Sequence, residues 1–219
     1  MKAKILLLSI ITVLSGCAGS LPDKDEMVTL NDGRTYEEQK YNSHEDGYVW
    51  HSSDLQKDEY QNIIVHDVNV HVSKTIDRLL TDQTVENFKQ EIKDSLSEKS
   101  SKLFPTDATS THQAIVDVNI IKIEDIGEDV KAQEIIPVGA IVALAKQAAG
   151  TRDRSVRLLV DVDIKDKEDG HLLARRIFVV NNNGVLENDK SKITQKILDA
   201  NVNRITEQSV DFILHAMYM

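Results

Sequence analysis

One cysteine serves 219 residues, aromatic side chains make up 5% of them, and basic residues are outnumbered. A single thiol forms no intramolecular disulfide, so the folded part must stand on its core. No apolar run reaches the roughly 20 residues that a helix needs to cross a bilayer. The nearest, Ile135 to Ala149, contains Pro137 and Gly139 and carries Lys146. With 26 Lys and Arg against 36 Asp and Glu, the net charge is −10. That balance argues against nucleic acid as a partner and against charge-driven binding to anionic lipid. Signatures of chemistry are scarce as well. There is no Gly-x-Ser-x-Gly and no glycine-rich phosphate loop. His66 and His71 lie five apart in one expected strand and so point to opposite faces. Asp161 and Asp163 read as a solvated strand face, and Asp166, Glu168 and Asp169 as a turn. Paired catalytic carboxyls belong in a cleft instead. No catalytic residue, metal site or cofactor is expected.

What is present begins at the first residue. Met-Lys-Ala-Lys precedes the apolar run Ile5 to Leu14. A positive start, a short apolar core and a small-residue exit make a secretory signal rather than a span. The exit, Leu14-Ser15-Gly16-Cys17, holds the one cysteine. It resembles the bacterial lipobox. That resemblance implies cleavage before Cys17, a diacylglycerol thioether on its sulfur, and acylation of the new amino terminus, palmitate included. Ala18 is not aspartate, which by the same resemblance implies the outer membrane, facing the periplasm. Loss of Lys2 and Lys4 with residues 1–16 takes the charge from −10 to −12.

The chain divides into a signal peptide (1–16), an acidic flexible tether (17–47) and an α+β domain (48–219). Residues 18–60 carry eleven acidic and four basic side chains. Up to about Asn42 this composition suits a self-repelling spacer. Tyr36 to Tyr60 then holds four of the five tyrosines and the only tryptophan, and disordered linkers are poor in aromatics. Tyr48, Trp50 and Tyr60 either pack this segment onto the domain or form a recognition strip for a partner. Two further candidate contacts lie downstream. Ala143 sits in an apolar helix, 135–149, that is either core or a docking and oligomerisation face. Arg152 belongs to "TRDR", a dense basic spot that could hold a phosphate or a glycan carboxylate, or pair with nearby acids.

Within the domain, period-2 alternation over 61–72 predicts a strand with Ile64, Val68, Val70 and Val72 inward. Asp82 is placed to cap a helix whose stripe is Val85, Phe88, Ile92, Leu96 and Leu103. A second strand is expected from about His112 to Glu124. The segment "SVRLLVDVDIKDKEDGHLLARRIFVV" predicts a hairpin closed by Gly170 at positive φ. Pairing Lys165 with His171 sets Ile164 opposite Leu172, Leu158 opposite Phe178, Val160 opposite Arg176 and Asp161 opposite Arg175. The second face then carries Leu159 and Ile177, with Ile63, Val65, Ile121 and Ile123, covered by the 135–149 helix or a partner. A last helix begins near Asp189. The expected fold is a four-stranded, mostly antiparallel sheet with about three helices in one α+β domain.

Two segments, Tyr48 to Val70 and Ile135 to Ala174, resemble a family of proteobacterial lipoproteins known as Domain of Unknown Function 3313. The resemblance rests on Tyr60, Pro137, Gly139, Gly150, Arg152, Asp166, Gly170, Leu173 and Ala174. It supports the lipoprotein reading and the fold, and brings no activity or cofactor. The expectation is an envelope lipoprotein, held in the membrane by lipid on Cys17, that binds another envelope protein or assembles as a homo-oligomer. A carrier of a small hydrophobic molecule or lipid is the alternative, and an enzyme on envelope polymers ranks below both.

Overall fold

The computed structural model describes residues 21–30, 32–41, 46–56, 60–104, 112–127, 153–188 and 190–218. Leu14, Ser15, Gly16, Cys17, Ala143, Arg152 and the 135–149 segment lie outside the described residues. The elements run α1 (Lys24–Leu30), β1 (Glu37–Lys40), β2 (Asp46–His51), β3 (Tyr60–Val70), α2 (Lys74–Asp77), α3 (Asp82–Leu103), β4 (His112–Gly127), β5 (Arg154–Asp166), β6 (Leu172–Leu186) and α4 (Gln195–Tyr218).

The strands form one sheet in the order β1-β2-β6-β5-β4-β3. Among the described residues this is one mixed sheet of six strands, where four, mostly antiparallel, were expected. β3 pairs β4 in parallel and every other pair is antiparallel. The parallel pair follows from α2 and α3, since a helical crossover returns the chain in the same direction. Of the two extra strands, β1 lies wholly in the segment expected to be a tether and β2 begins in it. β1 reads Glu-Glu-Gln-Lys, mostly exposed, so this edge strand has no alternation to betray it. α1 also lies inside 17–47, and β2 starts before residue 48. The acidic segment is folded against the sheet because ion pairs hold it there.

α3 and α4 cover one face of the sheet. Phe88, Ile92 and Leu96 of α3 and Leu198, Ile205, Phe212 and Ile213 of α4 are fully buried against Val116, Val118, Val160, Val162 and Phe178. The cap of α3 is Thr81, whose Oγ1 accepts from the Thr84 N–H at 3.2 Å, not Asp82. Leu103 is 48% exposed, because α3 ends there. Phe104, one residue on, takes the core position and stacks on Tyr218 at 5.0 Å.

Three of the five register shifts among the described strands relocate side chains relative to strict alternation. One, between Val65 and Asp67, puts Ile63 and Val65 rather than Ile64 on the core side. A second, between Ile120 and Lys122, sends Ile123 to the core and leaves Ile121 on the other face. The third, with the turn, moves the hairpin register by two: the turn pairs Lys165 with Leu172 instead of His171, and Leu173 is then the extra residue before Ile164 pairs Ala174. Arg176 therefore faces Val162, and Arg175 faces Asp163. Gly170 does take a positive φ, 75°.

One cation enters the helix-covered core. Arg176 is fully buried. It donates to Gln208 Oε1 of α4 at 2.6 Å and lies 4.2 Å from the centre of the Tyr41 ring. Burial lowers its pKa to about 10. β2 passes close beside it at Gly47, where a Cβ would sit 3.0 Å from the Ile177 carbonyl and 3.2 Å from the Arg176 guanidinium.

Candidate functional site

The other sheet face gathers most of the buried charge. Its centre is apolar: Leu159, Ile177 and Val179 pack under Met27, Leu30, Tyr36 and Ile121. Ion pairs surround that patch, and residues 21–30 and 32–36 lie over it as a strap.

At one side stands Arg157, 7% exposed. Its Nη1 and Nη2 each donate to a different oxygen of Glu26 at 2.7 Å, and Nη1 also donates to Glu124 at 3.0 Å. Lys122 adds a bond to Glu26 at 3.0 Å, and the Asp23 N–H donates to Glu26 Oε2 at 2.9 Å. Burial disfavours the ionised Glu26, but the bonds from Arg157, Asp23 and Lys122 outweigh it and hold the carboxyl at about 2. Bidentate Arg–carboxylate pairing of this kind is the strong form of the bond.

At the other side stands Arg175. It binds Asp161 twice, at 2.9 and 2.7 Å, and approaches Asp163 and Asp32 at 2.9 Å each. Asp32 in turn pairs with Arg34. Asp161 is 2% and Asp163 6% exposed, so the expectation of a solvated strand face is overturned by the strap that covers them. Burial, with the Asp163 charge behind it, pushes the Asp161 carboxyl up to about 7 against the pull of Arg175. The same two acids hold the Arg175 pKa up despite its burial. Towards β3, Lys165 and His66 each reach Asp117 at 2.8 Å. Burial opposes ionisation of Asp117, and these two partners lower its pKa nonetheless.

The structure brings two of the five candidate contacts together. Tyr48 and Trp50 sit on β2, opposite Ile177 and Arg175, on the strap side. The Arg34 guanidinium lies 4.6 Å over the Trp50 ring. Tyr48 lines a groove of about 400 Å³ with Lys24, Met27, Val28, Arg34 and Tyr36. A second hollow of about 280 Å³ lies beneath α1, between Leu30, Ile121 and Leu159. Tyr60 is elsewhere, 5% exposed at the start of β3, donating to Asp166 Oδ2 at 2.8 Å. It packs its segment onto the hairpin turn. Asp166 also accepts from the N–H groups of Glu168 and Asp169, as the expected turn requires. Asp166, Asp169 and His171 bring ligand-type atoms within 4.8 Å of one another; the bonds of Asp166 to Tyr60 and the turn give this grouping a structural role. Arg154, of the basic spot, pairs with Asp125 at 2.9 Å.

Sequence reasoning missed Glu26, Asp32, Arg157 and Arg175 as one system. The available signal was two arginines inside otherwise apolar strands, which demand buried acids from somewhere.

Fold and charged face together define a single α+β domain that binds its own N-terminal segment through buried ion pairs. The chain belongs to the family described as Protein of unknown function (DUF3313), whose model matches residues 30–192. No curated protein matches it. Among solved structures, the PelC dodecamer from Paraburkholderia phytofirmans is similar at a TM-score of 0.34 and 8% identity, over 76% of this chain and 96% of that one. A neuraminyllactose-binding hemagglutinin homolog from Helicobacter pylori is similar at 0.36 and 8%, over 74% and 91%. Likeness at that level says nothing about what this chain does.

Proposed function

We propose that the protein is a lipoprotein of the outer membrane, acylated on Cys17 and facing the periplasm, whose domain is a non-catalytic docking module for another envelope protein or a second copy. The anchor rests on the sequence Leu14-Ser15-Gly16-Cys17 after a short apolar core. The non-catalytic reading is carried by one observation. Asp161 and Asp163, the paired carboxylates, are buried and tied through Arg175 to the strap. Buried struts of this kind hold a fold together, whereas an acid–base pair must reach a substrate.

Two experiments test this. Cys17→Ser removes the nucleophilic sulfur, so palmitate labelling and outer-membrane sedimentation seen in the wild type should both disappear. Equal fractionation of both proteins, unlabelled, refutes the anchor. Photo-crosslinking in vivo from Leu103 or Ala143 should recover an envelope protein or a self-adduct; recovery of neither refutes the docking role.

A further inference from the structure

The position of the strap changes how far the domain can stand from its anchor. A tether over 17–47 would leave the domain free to tumble. Instead α1 starts at Lys24 and is tied to β5 through Glu26 and Arg157. Seven residues from Cys17 to Lys24 span at most about 25 Å. A domain of this size measures on the order of 40 Å across. A leash that short keeps the α1 side of the domain turned to the bilayer.

We propose that the groove between α1 and β2 seats a phospholipid headgroup of the bilayer that holds Cys17, so that the domain lies on the membrane by its strap. The proposal rests on the lipoprotein reading above. Its chemistry comes from the groove. Lys24 and Arg34 place two cations at one opening, beside the rings of Tyr36 and Tyr48 and the apolar side chains of Met27 and Val28. Val28 is 72% exposed, more than any other large apolar residue described. Cations bind the phosphate; tyrosine suits the boundary between water and hydrocarbon, where one end of the ring is wet and the other is not. Arg34 is already oriented by stacking on Trp50 and by Asp32, so little side-chain freedom is lost on binding. The acylated chain, without residues 1–16, is acidic at −12, so the attraction is local to the groove and acts on a phosphate rather than on the net charge of the bilayer.

Trp50 is the only tryptophan and stacks on Arg34, which lines the groove; this supplies the assay. The full-length acylated protein is reconstituted into phosphatidylethanolamine–phosphatidylglycerol vesicles containing a headgroup-spin-labelled phospholipid. The wild type should float with the vesicles, and Trp50 emission should be quenched. Quenching should fall at least twofold in Lys24→Gln/Arg34→Gln, and in Val28→Asp, whose exposed position spares the fold. Unchanged circular dichroism certifies each variant. Floating, acylated protein whose quenching is absent, or equal in all three forms, overturns the headgroup site and leaves the anchor standing. Protein that neither floats nor carries palmitate overturns the anchor, and this proposal with it. If inorganic phosphate shifts Trp50 emission of unacylated Cys17→Ser as strongly as vesicles do, the groove binds a soluble anion and the bilayer assignment is wrong.

Discussion

Replacing Glu26 by glutamine isolates the clamp that holds α1. Both carboxylate oxygens are engaged, by Arg157 twice, by Lys122 and by the Asp23 N–H. Glutamine keeps one acceptor and turns an N–H₂ group towards Arg157. The carboxyl is held at about 2 against an ordinary 4.5, which corresponds to about 3 kcal/mol of stabilisation at neutral pH. Arg157 retains Glu124 in the variant and Lys122 is 41% exposed, so the loss should be nearer ~2 kcal/mol. For a domain of this length that lowers Tm by about 4–8 °C. The sign with pH follows from the depressed value. The stabilisation is complete above about pH 4.5 and is lost as pH falls towards 2, so the gap between wild type and Glu26→Gln should be widest at pH 6–7. By pH 3 it should shrink to about two fifths. Thermal melts across that range read the gap, and trypsin cleavage at Lys24 reads the release of α1. A gap below about 0.5 kcal/mol at pH 7, within the range of a neutral surface change, or a gap of equal width at pH 3, would refute the clamp.

Asp161 gives the opposite sign. Its native carboxyl is raised to about 7, so the native state holds a proton that the unfolded state has already lost, and stability should decline as pH rises from about 4 to 7; Asp161→Asn should flatten that decline in a Tm-versus-pH series. Gly47→Ala puts a methyl group against the Ile177 carbonyl and Arg176, and overpacking there should cost about 1–3 kcal/mol by urea denaturation. Tyr60→Phe removes the buried bond to Asp166 and should cost about 1 kcal/mol, with no change in far-ultraviolet circular dichroism.

The helices and the β5–β6 hairpin were legible because their periods are strong. Phe88, Ile92 and Leu96 fall at helical spacing and are all buried, and Gly170 closes the hairpin as its residue type demands. The register was not legible. Leu173 is apolar whether it bulges or pairs, so nothing in the residue types separated the two alignments, and a shift of two keeps every later side chain of β6 on its expected face while Leu173 itself turns to the core. The bulges at Val65 and Ile120 left no trace either, since isoleucine and valine flank both sites. The strap was hidden for a different reason. Its composition is that of a solvated spacer, and its folding depends on Arg157 and Arg175 more than 130 positions away. Tyr60 is buried on the hairpin turn, one of the two alternatives its segment left open; Tyr48 and Trp50 stood out as aromatics, but nothing in their spacing pointed to Arg34 and Lys24 beside them.

That separation governs the order in which the chain can fold. Glu26 meets Arg157 across 131 positions, and Asp32 meets Arg175 across 143, whereas β5 and β6 meet across a short turn. Closing the long loops costs more chain entropy, and contacts of that kind form late. A chain emerging from its amino terminus presents residues 21–41 long before β5 and β6 exist to receive them. On the lipoprotein reading, Cys17 reaches the acylating and cleaving enzymes while the strap beside it still has nothing to dock on, and the closing of the ion pairs then marks the end of maturation.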